Sequence, residues 1–216
     1  MDVTLSPPAK TKLFRAAFWL GIFTIIYNLA EGLIATAFGF QDETIALFGF
    51  GVDSFIEMIS GIGIVYMVTR IEKNPHSHRS DFERTALRVT GWSFYFLVAG
   101  LLVSAAASIY LGQHPVTTFW GIIISLISII VMVFLLIGKI RVGKQLQSDA
   151  ILADASCTKV CIYMSLLLLA SSGIYYFTQF AYADAIGTLG LAWFSFREGK
   201  ECFEKASSDK LCSCDH

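Results

Sequence analysis

The sequence predicts an all-α integral membrane protein with six transmembrane helices, and three observations lead to that prediction. Of the 216 residues, 55% are hydrophobic and only 15% are charged, whereas a soluble domain carries about 25% charged residues. The mean hydropathy is +0.63. Apolar runs long enough to cross a bilayer alternate with short polar breaks. The net charge of −1 says nothing about partners, but the lack of a basic stripe argues against a nucleic-acid partner.

The six spans follow one another with short connections. The breaks carry turn and capping residues, such as Asn74-Pro75 after the second span. The first span is too long for a signal-peptide core, so we expect it to be retained as a helix. We place the spans at residues 14–38, 43–69, 85–111, 116–138, 146–177 and 181–204. The predicted organisation is an N-terminal tail (1–13), a transmembrane domain (14–206) and a C-terminal tail (207–216).

Basic residues predict the orientation of the chain. Fifteen of the sixteen Lys and Arg residues lie at the N-terminal end, in the 70–88 and 139–144 segments or from Arg197 onward, and the sixteenth is Lys159. The connections on the other side carry none: 41–44, 112–116 and 178–182. The positive-inside rule therefore places both termini in the cytoplasm, as an even number of spans requires. We expect a multi-pass plasma-membrane protein, in a bacterium the inner membrane.

Two helices carry a pair of ionisable or thiol side chains deep in the predicted bilayer. Asp53 and Glu57 are four residues apart in the second span, and Cys157 and Cys161 are four apart in the fifth. Each pair therefore shares one helix face, and the two pairs lie at similar depth. Two carboxylates and two thiolates suit a tetrahedral ion such as Zn²⁺, and thiolates also favour softer ions such as Cd²⁺. The alternative is that the cysteines only pack, which leaves the carboxylates unexplained.

Further polar residues inside the spans predict a proton or ion path. These are Asn28 and Glu31 in the first span, Asp154 and Lys159 in the fifth and Asp184 near the outer end of the sixth. We expect Lys159 to form a buried ion pair with Glu31 or Asp184; alternatively, its charge keeps the metal ligands ionised. The third and fourth spans contain almost no ionisable residues, so we expect them to act as scaffold.

The C-terminal tail carries a second candidate metal-binding pattern. Cys212, Cys214 and His216 lie within five residues of one another, and short Cys/His tracts are typical of metal binding. We expect the tail to capture soft ions and deliver them to the membrane site. Since none of the five cysteines falls in a predicted external segment, we expect reduced thiols rather than disulfides.

Three stretches resemble the membrane domain of the cation diffusion facilitators, which are usually dimeric, proton-coupled exporters of divalent metals. The resemblance implies that Asp53, Glu57, Cys157 and Cys161 occupy ligand positions and that Asp154 belongs to the motif without being a ligand. Both ligands in the fifth span are Cys, where the family typically has His or Asp, which shifts the expected cargo toward softer ions. The stretches are Val52–Glu57, Ala153–Cys161, and Ala183–Ala185 followed by Arg197–Gly199.

The predicted function is therefore proton-coupled export of a divalent transition metal by alternating access, and not an enzymatic one. Zn²⁺ and Cd²⁺ are the first candidates, with Co, Fe, Hg and Cu ions left open, and we expect no permanently bound cofactor. The expected partners are the metal cation, protons, the lipid bilayer and, through the membrane helices, a second copy of the chain. Two alternatives remain: a membrane thiol-disulfide redox protein using Cys157 and Cys161, and a metal-binding membrane regulator that does not transport.

Overall fold

The chain folds into six long α-helices in a computed structural model. The structure describes residues 7–41, 45–73, 79–111, 119–178 and 183–208, and within these helices it leaves undescribed the side chains of 7–8, 41, 45–46, 79–80, 108, 111, 171–173, 175–176 and 183–184. No strand occurs in those ranges. The helices are α1 (Pro7–Gln41), α2 (Ile45–Lys73), α3 (Arg79–Leu111), α4 (Phe119–Leu146), α5 (Asp149–Thr178) and α6 (Ala183–Ser207).

The number and order of the helices confirm the predicted all-α membrane fold. Five of them, α1 to α5, are long and apolar enough to cross a membrane. The sixth, α6, has 25 residues but is not among these five, because its second half is rich in charged residues such as Arg197 and Glu198. Several helices also extend beyond the predicted spans. The largest extension is that of α4, which continues past residue 138 to Leu146.

The helices form a closed ring in the order α1, α2, α3, α6, α5, α4, with α5 and α2 also in contact across its middle. Because α5 contacts α2, α3, α4 and α6, it is the central helix of the bundle. Several polar side chains of α5, such as Asp154 and Thr158, are buried. They need partners inside the bundle, since hydrocarbon offers none.

One end of the bundle, where α1, α3 and α5 begin and α2, α4 and α6 end, carries nearly all the basic residues, and we call it the basic end. Tight apolar packing lies toward this end. Phe14 of α1, Leu87 of α3, Leu146 of α4 and Ile151 of α5 belong to one buried cluster.

Two glycines let α1 and α2 approach closely. A Cβ atom added to Gly32 would lie 3.0 Å from the carbonyl oxygen of Gly51, and one added to Gly51 would lie 3.0 Å from the carbonyl oxygen of Gly32. Small residues at a helix crossing are the usual means of bringing two membrane helices into backbone contact.

A two-residue turn joins α4 to α5. Gln147 has a φ of 50°, the left-handed conformation that ends many helices, and the Ser148 amide donates a 2.9 Å hydrogen bond to the carbonyl of Gly143. The Ser148 hydroxyl accepts a 3.4 Å hydrogen bond from the amide of Ile151, as a helix N-cap does. The turn thus fixes the register of α4 against α5.

Candidate metal centre

The four residues predicted as metal ligands, two on α2 and two on α5, are all buried. Asp53 and Glu57 are 3% and 2% exposed, and Cys157 and Cys161 are 6% and 1% exposed. Their spacing of four residues puts each pair on one helix face. Since α2 and α5 contact each other, these faces can meet inside the bundle.

Asp53 and Cys161 are in direct contact. The Cys161 thiol donates to Oδ2 of Asp53 over 3.0 Å, which joins the two pairs at one depth. Cys157 lies one turn nearer the basic end, where Asp154 and Glu57 act on it electrostatically. The three cysteines in the described chain, Cys157, Cys161 and Cys202, are free thiols.

The two oxygens of the Glu57 carboxylate have different surroundings. Oε1 accepts a 2.6 Å hydrogen bond from the Thr158 hydroxyl and lies 3.5 Å from Nζ of Lys139. Oε2 is buried and has no hydrogen-bond partner among the described residues. Buried polar atoms are rarely left without a partner, so an atom of this kind requires an explanation, such as an absent ion.

Lys139 of α4 is the cation of the site, and the prediction that α4 is only scaffold is wrong. The residue is 1% exposed, and Nζ lies 2.8 Å from Oδ2 of Asp154. Nζ also donates to the Thr158 hydroxyl over 2.8 Å. Asp154 thus has a described role as the partner of Lys139.

The network continues to α3. The Ser60 hydroxyl of α2 donates to Oδ1 of Asp154 over 2.8 Å and lies 3.0 Å from the hydroxyl of Thr90 on α3. The third helix therefore contributes to the polar interior as well. The scaffold prediction for this helix rested on its small number of ionisable residues, and it did not consider the contacts of its hydroxyl groups.

Sequence reasoning missed Lys139 and Thr158, although one signal could have identified them. Lys139 was assigned to a basic connection because it follows directly on the apolar run of the fourth span. In an antiparallel hairpin, residues at similar distances from the turn lie opposite each other. Lys139 lies eight residues before Gln147, whereas Asp154 and Thr158 lie six and ten residues after Ser148.

Glu31 of α1 adjoins the same region from the other side of α2. Its oxygens accept hydrogen bonds from the Tyr27 hydroxyl over 2.9 Å and from the Ser54 hydroxyl over 3.0 Å. Asn28 donates to the Thr24 carbonyl over 3.0 Å, and its side-chain oxygen has no partner among the described residues. A chain of polar groups therefore runs from α1 to the residue beside Asp53.

Lys159 does not take part in this network, and the predicted ion pair with Glu31 is wrong. Its Nζ lies 3.4 Å from the Ser156 hydroxyl, and the residue lines a cavity of about 350 Å³ between α4, α5 and α6 together with Glu198. The physical reason is its position on α5, on a face turned away from α1. The other predicted partner, Asp184, has a side chain outside the described part, as do the tail residues Cys212, Cys214 and His216.

A second cavity, of about 520 Å³, occupies the half of the bundle opposite the basic end. Residues of α2, α3, α5 and α6 line it, and Asp53, Ser104 and Thr188 are its only polar lining residues among those described. Asp53 therefore lies between this cavity on one side and the Lys139 network on the other.

The arrangement brings together two opposed ligand pairs without closing them around a centre. Among the described residues, no group of three or more His, Cys, Asp and Glu side chains is placed to hold a metal ion. Asp53 and Cys161 touch each other, while Glu57 presents a free oxygen nearby. Two oxygen and two sulfur donors, all buried, are chemically suited to a four-coordinate transition metal.

The chain is similar to known membrane transport proteins. Residues 21–209 match the family model described as the cation efflux transmembrane domain. An uncharacterized transporter of Methanocaldococcus jannaschii is 27% identical over an alignment of 166 residues, and the alignment covers 72% of this chain and 58% of that protein. The chain therefore spans somewhat more than half the length of that relative.

Proposed function

This chain belongs to the cation efflux family, and from that premise we propose that it carries a divalent transition-metal cation across the membrane. The first candidates for the cargo are Zn²⁺ and Cd²⁺. The ion leaves the cytoplasm in exchange for protons. The observation that carries it is the contact of Asp53 with Cys161 beside the unpartnered Oε2 of Glu57.

The donor set supports the choice of cargo. Zn²⁺ prefers four ligands and accepts both thiolate sulfur and carboxylate oxygen. Thiolates raise the affinity for soft ions, whereas ions such as Mg²⁺ and Ca²⁺ prefer oxygen alone. Cys157 and Cys161 thus favour Zn²⁺ and Cd²⁺ over hard ions, and Asp53 and Glu57 supply the remaining positions.

The polar asymmetry of the bundle supports a direction. The basic end is cytoplasmic by the positive-inside rule, and the Lys139 network lies between that end and Asp53. The 520 Å³ cavity reaches Asp53 from the other half. In this arrangement cargo leaves Asp53 toward the outer face, and rocking of the helices exposes the site to the cytoplasm, the alternating-access logic of midplane sites.

Proton exchange follows from the chemistry of the ligands. In the structure the protonated Cys161 thiol donates a hydrogen bond to Asp53. A metal binds the thiolate, so that proton must leave when the ion arrives. On the outward side, protons return to the ligands and release the ion. Asn28, Glu31 and Asp184 are the groups we assign to the proton or ion path.

The test is metal uptake into vesicles that contain the purified protein. Cys157→Ser and Glu57→Gln should each abolish most Zn²⁺ uptake and the accompanying proton movement, followed with a dye inside the vesicle. Cys202→Ser is the matched control, because it removes a buried thiol of α6, a helix that carries none of the four proposed ligands, and it should leave uptake intact. Uptake by Cys157→Ser and Glu57→Gln at the rate of Cys202→Ser would refute the assignment.

A further inference from the structure

We infer that Thr158 and Lys139 hold one oxygen of Glu57 and so restrict this carboxylate to a single bond with the transported ion. The two residues are positioning groups, and the restriction favours four-coordinate ions over ions that need more ligands. This inference rests on the proposed function, since it assigns the outer surroundings of the same site.

The hydrogen-bond directions support the assignment. The Lys139 ammonium has protons only to donate, and it donates one to the Thr158 hydroxyl over 2.8 Å. The hydroxyl then directs its own single proton to Oε1 of Glu57 over 2.6 Å. Thr158 is fully buried, so no water competes for that oxygen. The result is a one-way relay from α4 through α5 to α2.

The relay leaves one oxygen for an ion. Oε2 of Glu57 is buried and has no partner among the described residues, while Oε1 is already engaged. A carboxylate held in this way favours binding a metal through Oε2 alone over chelating it through both oxygens. Ions such as Ca²⁺ and Mn²⁺ use six or more oxygen ligands, often including chelating carboxylates, so the relay works against them.

Asp154 keeps the relay charged and in place. Its Oδ2 lies 2.8 Å from Nζ of Lys139, a shorter approach than the 3.5 Å between Nζ and Oε1 of Glu57. Lys139 is therefore anchored mainly by Asp154 and contacts Glu57 from the side. An anchored cation of this kind orients a ligand, whereas a cation that paired chiefly with Glu57 would compete with the cargo.

Cobalt absorption spectroscopy tests the inference, because Co²⁺ bands are intense in four-coordinate sites and weak in sites with more ligands. The purified chain loaded with Co²⁺ should give a four-coordinate spectrum. Thr158→Val should weaken the bands as Glu57 turns to bind through both oxygens. It should also lower Zn²⁺ affinity by about 10-fold, the lower end of the effect of removing an outer ligand partner.

Two variants serve as controls. Thr158→Ser keeps the hydroxyl and should match the parent in spectrum and affinity. Thr24→Val removes another buried threonine hydroxyl, whose described hydrogen bond goes only to its own helix at the Leu20 carbonyl, and should also match the parent. If Thr158→Val does not fold, the parent spectrum still decides.

Three results would overturn the inference: a parent site with more than four ligands, a Thr158→Val protein that keeps the parent spectrum and affinity, or one that loses affinity with an unchanged spectrum. The proposed function fails separately. If the double variant Cys157→Ser with Cys161→Ser retains the cobalt–thiolate absorption of the parent, the metal lies elsewhere. If the double variant loses this absorption while Thr158→Val behaves as the parent, only the inference about Glu57 is wrong.

Discussion

Replacing Lys139 by Met removes the ammonium group that Asp154 and Glu57 share, and it leaves two carboxylates in the interior of α2 and α5 without a cation. The Met side chain has nearly the same length, so the change removes charge with little change in volume. Because the side chains of Lys139 and Asp154 are each 2% exposed, solvent cannot replace the lost partner.

The expected cost follows from the remaining contacts. Removing one partner of a buried ion pair typically costs about 3–5 kcal/mol. Asp154 keeps its hydrogen bond from Ser60 and Glu57 keeps that from Thr158, so we expect a loss of about 3 kcal/mol, the lower end of that range. Asp154→Asn should cost less, about 2 kcal/mol, because Lys139 retains Glu57.

The double variant Lys139→Met with Asp154→Asn distinguishes a coupled pair from two independent effects. It should cost no more than Lys139→Met alone, which gives a coupling free energy of at least about 2 kcal/mol. The measurement is unfolding in mixed detergent–SDS micelles, carried out as a double-mutant cycle. Lys144→Met, at an exposed lysine of the same helix, should change stability by less than about 0.5 kcal/mol. Single-variant costs that simply add would refute the reasoning.

Two further predictions concern the backbone, and the same unfolding assay measures both. Gln147→Gly should raise stability by about 1 kcal/mol, because glycine adopts the positive φ of this turn without a steric penalty; a less stable variant would contradict the described turn. Gly32→Ala should lower stability by about 1–3 kcal/mol through overpacking against the Gly51 carbonyl. Gly100→Ala is its control, because a Cβ there meets nothing within 4 Å, and equal effects of the two changes would refute the close approach.

The sequence predicts the helices well because the signals for them are local. Long apolar runs and the breaks between them determine the number and order of the helices, and a four-residue spacing is sufficient to put Asp53 with Glu57 and Cys157 with Cys161 on common faces. The contact between Asp53 and Cys161 also agrees with the predicted depths. The charged second half of α6 weakens its apolar signal, and α6 is accordingly the helix least like a membrane span.

The sequence predicts poorly which lysine is the cation of the site, because the identity of that lysine depends on which faces of different helices meet. The local rules placed Lys159 in the interior and Lys139 in a basic connection. Lys159 lies inside an apolar run, yet it lines the cavity near the basic end. Lys139 lies at the end of a run, where the positive-inside rule treats a lysine as exterior, yet it is almost fully buried. Only the register of the α4–α5 hairpin separates the two.

Glu57 and the two residues that hold its carboxylate belong to different parts of the bundle. Lys139 and Thr158 belong to α4 and α5, which the turn at Gln147 joins in one register, whereas Glu57 itself belongs to α2. A slide of α2 past the hairpin by one helical turn, about 5.4 Å, carries the carboxylate away from both holders and frees its second oxygen. The affinity of the site for an ion is then coupled to the position of α2 relative to the hairpin. An ion that binds better to the held carboxylate therefore also stabilises the helix arrangement that holds it.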